Sequence, residues 1–350
     1  MYRLVLVDDE VSSRNALCNY FPWNQIGFEV VSQFTDGCLA LDYIRKNPVD
    51  VIFCDIIMPN MDGLLLAKKI YQEKIGCKII FLSAYKKFDY AREALNYGVR
   101  DYLVKPAKYK DLMEVFQRLR MELDEEKFQE LRVLLKRAAL PCRCCNNFYP
   151  ASVRLTGEKV SSEKAEEYTK RAVKRAELLG SRFIVFGSSG AKNVPAGFPE
   201  DRAFEQIVSA LRMAARYAGP AGIRIAIEPL NRKESNIICS LAEGRRLMDA
   251  VGSPQVGLLV DFYHFAVEKD SYASLEENGG KIIHVHFASP EGRSFPAENI
   301  PEYERFFKLL KLNGYDGGVS IEAFTERPRQ DLIKGGNIVR SYFRQTKKIN

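Results

Sequence analysis

The chain has 350 residues, 46% hydrophobic and 28% charged, with a net charge of +7. That balance is ordinary for a soluble globular protein and leaves room for about two domains. Its longest apolar runs are strand-length, short of the roughly 18–20 residues of a membrane span. The opening MYRLVLVDDE meets acid almost at once, which reads against a signal peptide. A cytoplasmic protein with no membrane partner is expected. The mild basic clusters RVLLKR and RSYFRQTKK come with no helix-turn-helix pattern or basic stripe interleaved with aromatics. No nucleic-acid partner is expected.

From the N-terminus, LVLVDD, FEVVSQF, VDVIFCD, KIIFLSA and DYLVKP read as strands, alternating with helical patterns such as GCLALDYIRKN and FDYAREALNYG. A βα alternation predicts a parallel sheet covered on both faces, with ligands at the carboxyl ends of the strands. Those ends carry Asp8, Asp9, Asp55, Ser83 and Lys105. Three carboxylates at one edge repel unless a hard cation such as Mg²⁺ joins them. The lysine and the hydroxyl could then hold a phosphoryl group on one carboxylate.

The motifs VDDE, CDIIMPNMDG, LSA and YLVKP give residues 1–122 a clear resemblance to response-regulator receiver domains, which have a flavodoxin-like doubly wound fold. The resemblance implies that Asp55 is the phospho-acceptor. It assigns Mg²⁺ to Asp8, Asp9 and Asp55 with the carbonyl of Ile57, the phosphoryl oxygens to Ser83 and Lys105, and the aromatic switch to Tyr102. It also implies a sensor histidine kinase as partner. The stretch FDYAREALNYGVRDYLVKP is similar to receivers that usually precede a DNA-binding domain.

MELDEEKFQELRVLLKRAAL follows, with apolar residues at helical spacing and neither Gly nor Pro. One long helix or two abutting helices are expected, stopped by Pro141. Residues 123–140 then form a helical linker or a helix of the next domain, which spans 141–350. PCRCCNN holds Cys142, Cys144 and Cys145. With no secretion signal these read as reduced thiols buried on a strand, since a zinc site needs a fourth ligand.

Beyond residue 140, CRCCNNF, RFIVFGS, IRIAIEPL, VGLLVDF, IIHVHFA and GVSIEAF read as strands, the first weakly. Glu228, Asp261, His286 and Glu322 fall at or near successive strand ends, roughly 25–36 residues apart, about one βα unit. In a barrel such ends meet at one mouth, and three carboxylates with an imidazole make a divalent-metal ligand set. The chain has only three histidines. His284 shares a strand face with His286, which lies nearer the mouth, and His264 follows Asp261 in the loop. Arg293 could hold an anionic or hydroxyl-rich substrate.

The motifs VFGSSGAKNVPAGF, IAIEPLNRKESN, VGLLVDFYH, HVHFASPEGR and GYDGGVSIE make residues 127–345 resemble the sugar phosphate isomerase/epimerase-like TIM barrels. The resemblance implies Mn²⁺, Co²⁺ or Mg²⁺ on Glu228, Asp261, His286 and Glu322, with His264 and Arg293 contacting the oxygens of a small sugar. Glu228 and Glu322 would be catalytic, passing a proton through an enediolate. The related endonuclease IV-like enzymes need many more histidines. Two departures stand out. Only about six strands follow residue 140, so the barrel is incomplete, lacking about its first two strands. Ser289 also stands where the family usually has an acid. An open barrel exposes sheet edges, which the receiver or a second copy of the chain, as a homo-oligomer, could cover. The alternative to an enzyme is a signalling protein with a working receiver and a degenerate sugar-binding or interaction barrel.

Overall fold

The computed structural model describes residues 1–84, 92, 94 and 96–344, the last two of these by backbone only. Most of the expected helix FDYAREALNYG lies outside the described residues. The chain divides into two compact units, Met1–Leu134 and Leu135–Asn350.

The first unit contains β1 (Tyr2–Val7), α1 (Val11–Tyr20), β2 (Phe28–Phe34), α2 (Gly37–Ile44), β3 (Val51–Asp55), α3 (Gly63–Gln72), β4 (Lys78–Ser83), β5 (Asp101–Val104) and the helix α4 (Tyr109–Ala138), which continues past the unit boundary. The five strands are parallel, in the order β2-β1-β3-β4-β5. Successive side chains of a strand point to opposite faces, and this sheet buries both. Leu4, Leu6, Val51, Phe53, Ile80 and Leu82 join Trp23 and Phe116 on one face. Val5, Val7, Ile52, Cys54, Ile79 and Phe81 pack on the other. The near-continuous Val, Ile and Phe runs are the sequence mark of this two-sided burial.

The second unit holds six parallel strands in chain order: β6 (Cys144–Cys145), β7 (Phe183–Phe186), β8 (Arg224–Ile227), β9 (Val256–Asp261), β10 (Ile282–Phe287) and β11 (Val319–Ile321). Each pairs only with its sequence neighbours, and the sheet curls into a half-barrel. Between the strands run α5 (Ser162–Leu178), α6 (Ser189–Lys192), α7 (Glu200–Ala218), α8 (Leu241–Val251), α9 (Phe262–Glu268), α10 (Tyr272–Asn278) and α11 (Pro301–Leu312), and α12 (Pro328–Arg344) follows β11. Ile184, Phe186, Ile225, Ile227, Leu258, Val260, Val285 and Phe287 face the helices. Val185, Ala226 and Leu259 form a small interior cluster against Cys144 and Ile283. Six strands are the expected number. The weak strand CRCCNNF shrinks to two residues, and its cysteines differ from expectation. Cys142, Cys144 and Cys145 are only partly buried, because an edge strand is covered on fewer sides.

Among the described residues, no helix is long and apolar enough to cross a membrane.

Candidate functional site

In the first unit, β1, β3 and β4 end side by side and deliver the expected residues to one edge. Asp8, Asp9 and Asp55 each offer a carboxylate oxygen within 4.8 Å of the others. Lys105 Nζ lies 2.8 Å from Asp8 Oδ2 and 2.5 Å from Asp55 Oδ2. Asp8 is held by the Glu10 amide at 3.0 Å and the Ser13 hydroxyl at 2.8 Å. Asp55 Oδ1 accepts the Ile57 amide at 3.2 Å. Burial raises the Asp55 carboxyl above its usual range, and the Lys105 ammonium opposes this. Ser83 ends β4 and is buried, while Tyr102 lies partly buried on β5. Gly63 is obligatory here, since a Cβ would fall 2.4 Å from the Asp55 carbonyl oxygen.

In the second unit, Glu228 follows β8, Asp261 ends β9, His286 sits on β10 and Glu322 follows β11. One ligand atom from each lies within 4.8 Å of the other three. His286 is fully buried, and its Nδ1 lies 2.7 Å from Glu228 Oε1 and 2.9 Å from Glu322 Oε2. Arg293 Nη2 comes within 3.1 Å of Glu322 Oε2 and 3.5 Å of Asp261 Oδ2, and its guanidinium sits over the Tyr263 ring.

The electrostatics reflect negative charges gathered out of water. Burial, then the charge of Glu228, pushes the Asp261 carboxyl up to about 7. Burial alone would lower the His286 imidazole, but Cys144, Glu228 and Glu322 outweigh it and push it up to about 12. Burial would raise Glu322, yet His286, Arg293 and Asn146 hold it down at about 2. A protonated ring is thus the cluster's own counter-ion. Asp261 Oδ2, Glu322 Oε2 and His286 Nε2 are nonetheless buried with no hydrogen bond of acceptable geometry. Such orphaned atoms are costly, and a bound cation would satisfy the two carboxylate oxygens.

His264 is buried at this mouth. Its Nδ1 receives the Asn231 backbone amide at 3.2 Å and faces Asn231 Nδ2 at 2.8 Å. Nδ1 therefore accepts, and the ring proton sits on Nε2, 3.7 Å from Asp261 Oδ2. Burial and the neighbouring Arg293 push the His264 pKa down to about 3, so the ring is a neutral donor.

Four contributors carried no distinct sequence signal. Asn146 Nδ2 donates to Glu322 Oε1 at 3.0 Å, reaching from the β6 end of the sheet to the β11 end. Asn231 fixes the His264 tautomer. Gly187 clears space, because a Cβ there would lie 2.5 Å from Glu228 Oε2. Lys192 is completely buried, its Nζ 3.5 Å from the Glu228 carbonyl oxygen, and burial lowers its pKa to about 8. Strand parity puts Asn146 on the same face as Cys144 but does not point to Glu322 as its partner. A cavity of 740 Å³ at the opposite strand ends, lined by Phe183, Arg224, Val256 and Ile282 among others, holds none of the clustered acids.

The sequence pattern of the xylose isomerase-like TIM barrel matches residues 108–340. The chain belongs to that family. Residues 4–117 match the response regulator receiver domain, so the chain joins a receiver to a sugar isomerase/epimerase-like barrel. The receiver portion is 30% identical over 126 residues to the uncharacterized transcriptional regulatory protein YesN of Bacillus subtilis, covering 36% of this chain and 34% of that protein. It is 32% identical over 134 residues to the transcriptional regulatory protein HptR of Staphylococcus aureus, covering 38% and 52%. The chain thus spans a third to a half of the length of these relatives. The crystal structure of the 3-keto-D-glucoside 4-epimerase YcjR from E. coli is similar in fold, with a TM-score of 0.54 and 21% identity, covering 71% of this chain and 93% of that one.

Proposed function

We propose that the barrel is a divalent-metal-dependent sugar isomerase or epimerase and that the receiver is a phosphorylation switch. The observation that carries the first part is the convergence of Glu228, Asp261, His286 and Glu322 around orphaned buried oxygens. Mixed carboxylate and imidazole donors suit Mn²⁺, Co²⁺ or Mg²⁺. When bound, the ion supplies Lewis-acid polarisation of a sugar carbonyl.

The chain's own residues do the rest. Glu228 and Glu322 enter from separate strands, and both meet His286 Nδ1. One takes the proton next to the carbonyl and the other returns it, the general acid–base pairing such chemistry needs. Gly187 leaves Glu228 room to move, and Asn146 and Arg293 orient Glu322. The neutral His264 offers its Nε2 proton to a substrate oxygen. Arg293 supplies a fixed cation beside the reacting carbon.

In the receiver, Asp55 is the proposed phospho-acceptor, with Asp8, Asp9 and Asp55 holding Mg²⁺. Lys105 and Ser83 take the phosphoryl oxygens, Tyr102 acts as the switch, and a sensor histidine kinase is the phosphodonor. A phosphoryl group adds roughly −1.5 to −2 charge beside Lys105, which already spans Asp8 and Asp55.

One observation favours a second reading. Among the described residues the sheet has six strands against the eight of a closed barrel, which suits a sugar-binding module without turnover.

The test is a Mn²⁺ titration of the full chain carrying Asp9→Ala, with and without His286→Ala, followed by solvent-deuterium incorporation into a panel of ketoses. One ion bound and lost with His286→Ala, together with deuterium exchange, supports the enzyme. Binding without exchange supports the module. No binding refutes the metal-dependent enzyme.

A further inference from the structure

The acidic mouth uses Nδ1 of His286 and leaves Nε2 buried with no hydrogen bond of acceptable geometry. His284 stands two residues earlier on the same strand face, its ring edge-on to that of His286 with centroids 5.3 Å apart. His284 is buried, stacked on Phe183 and 2.9 Å from the Ser320 hydroxyl through Nε2. From β6, the thiol of Cys144 completes the group. One ligand atom from each of Cys144, His284 and His286 lies within 4.8 Å of the others. This set contains no carboxylate, whereas the mouth contains three.

We propose that Cys144, His284 and His286 form a second metal site, selective for a thiolate-seeking cation of the Zn²⁺ type and sharing the His286 ring with the acidic site. Sulfur and imidazole donors favour such ions, while carboxylates favour Mg²⁺ and Mn²⁺. Zinc takes sulfur at about 2.3 Å and imidazole nitrogen at about 2.0–2.1 Å, so the three atoms must draw in modestly around the ion. Among the described residues β6 is the terminal strand of the sheet, and Cys144 on it is only partly buried. Three protein ligands leave one position open, the pattern of a reactive rather than a structural zinc site. On binding, the thiol loses its proton and the protonated His286 ring gives up the one on Nε2, both to solvent. The inference shares a residue with the proposed catalytic centre but does not require that centre to be loaded.

The experiment is a Co²⁺ titration of the metal-free full-length chain by absorption, since only a thiolate ligand gives a near-ultraviolet sulfur-to-cobalt charge-transfer band. The band should appear in the wild type and in Cys142→Ser/Cys145→Ser. It should be lost in Cys144→Ser and strongly reduced in His284→Gln. A parallel measurement needs no variant: Zn²⁺ should shield Cys144 from alkylation, read peptide by peptide, and Mg²⁺ should not. Asp261→Asn should abolish Mn²⁺ binding at the mouth and keep the cobalt band, so the two sites fail separately. A wild type without the band, a band that survives Cys144→Ser, or alkylation of Cys144 at the same rate with and without Zn²⁺ would overturn the proposal.

Discussion

Replacing Asp261 with Asn should remove a pH-dependent cost to the folding of the metal-free barrel while abolishing its proposed metal site. Asp261 is 1% exposed, and its carboxyl is pushed from 3.8 up to about 7 by burial and by Glu228. The folded pKa lies above the unfolded one, so the carboxyl opposes folding once it ionises. Its cost is nearly absent below the unfolded pKa, grows as pH rises through the window between the two values, and levels off above about 7. At 1.36 kcal/mol per pKa unit, the ionised group costs the fold about 4 kcal/mol at pH 8 and about 2 kcal/mol at pH 5. Asn removes this titration, and its carbonyl can still accept the Tyr263 amide that Asp261 Oδ1 accepts at 2.9 Å, while its NH2 group faces the Arg293 and His264 donors at a cost that does not vary over this pH range. The advantage of Asp261→Asn over wild type should therefore grow by about 2–3 kcal/mol between pH 5 and pH 8. Urea unfolding under chelator, followed by far-ultraviolet circular dichroism, measures it. The chain's single tryptophan, Trp23, lies in the receiver, so its fluorescence identifies the receiver's transition and leaves the other to the barrel. Mn²⁺ at a hundred times its dissociation constant should then raise the wild type by about 2.7 kcal/mol and leave the variant unmoved. A stability difference that is the same at both pH values would refute the reasoning.

Gly187→Ala places a methyl group 2.5 Å from Glu228 Oε2. Calorimetry should show Mn²⁺ affinity falling roughly 10–100-fold with an unchanged circular dichroism spectrum, and unchanged affinity would show that Glu228 can yield freely. Metal binding should release protons, because His286 and Asp261 are both shifted upward in the metal-free cluster. Affinity for Mn²⁺ should rise with pH, and calorimetry in buffers of different ionisation enthalpy would count the protons. In the receiver, Asp55→Asn should abolish phosphorylation by a small-molecule phosphodonor, and Lys105→Ala should preserve the acceptor but weaken the response. Phosphate-affinity electrophoresis reads the former, and the shift in Tyr102 environment by NMR reads the latter.

The parts legible in the sequence are those where one chemical rule acts at one position. The two-residue spacing in IIHVHF put His284 and His286 on one strand face, and the spacing of the polar strand ends put Glu228, Asp261, His286 and Glu322 at one mouth. The receiver's acids and Lys105 were legible for the same reason, and the structure brings them together. Residues whose role depends on the neighbouring strand were not legible. Asn146 is one polar residue among several in CRCCNNF, and only the curl of the sheet carries it to Glu322. Asn231 matters because its amide meets His264 from 33 residues away. The cysteines were expected to be buried on a strand, but β6 is only two residues long and ends the sheet, so they keep part of their surface.

The half-barrel's construction separates what it can lose from what it must keep. All four proposed metal ligands come from β8 to β11, a contiguous run of paired strands. The proposed ion site therefore depends on a register that these four strands fix among themselves. Sheet edges left unpaired are a liability in proportion to their length, and among the described residues the terminal strands are short, β6 with two residues and β11 with three. Asn146 at one end also hydrogen-bonds Glu322 at the other, tying the mouth together where, among the described residues, no ladder joins β6 to β11. Such a tie holds a carboxylate in place, but one amide cannot replace the wall that two further strands would build around a substrate. The arrangement accordingly favours retained metal affinity with weakened substrate selectivity: in a ketose panel, variation in KM between sugars should be small even where proton exchange depends fully on the ion.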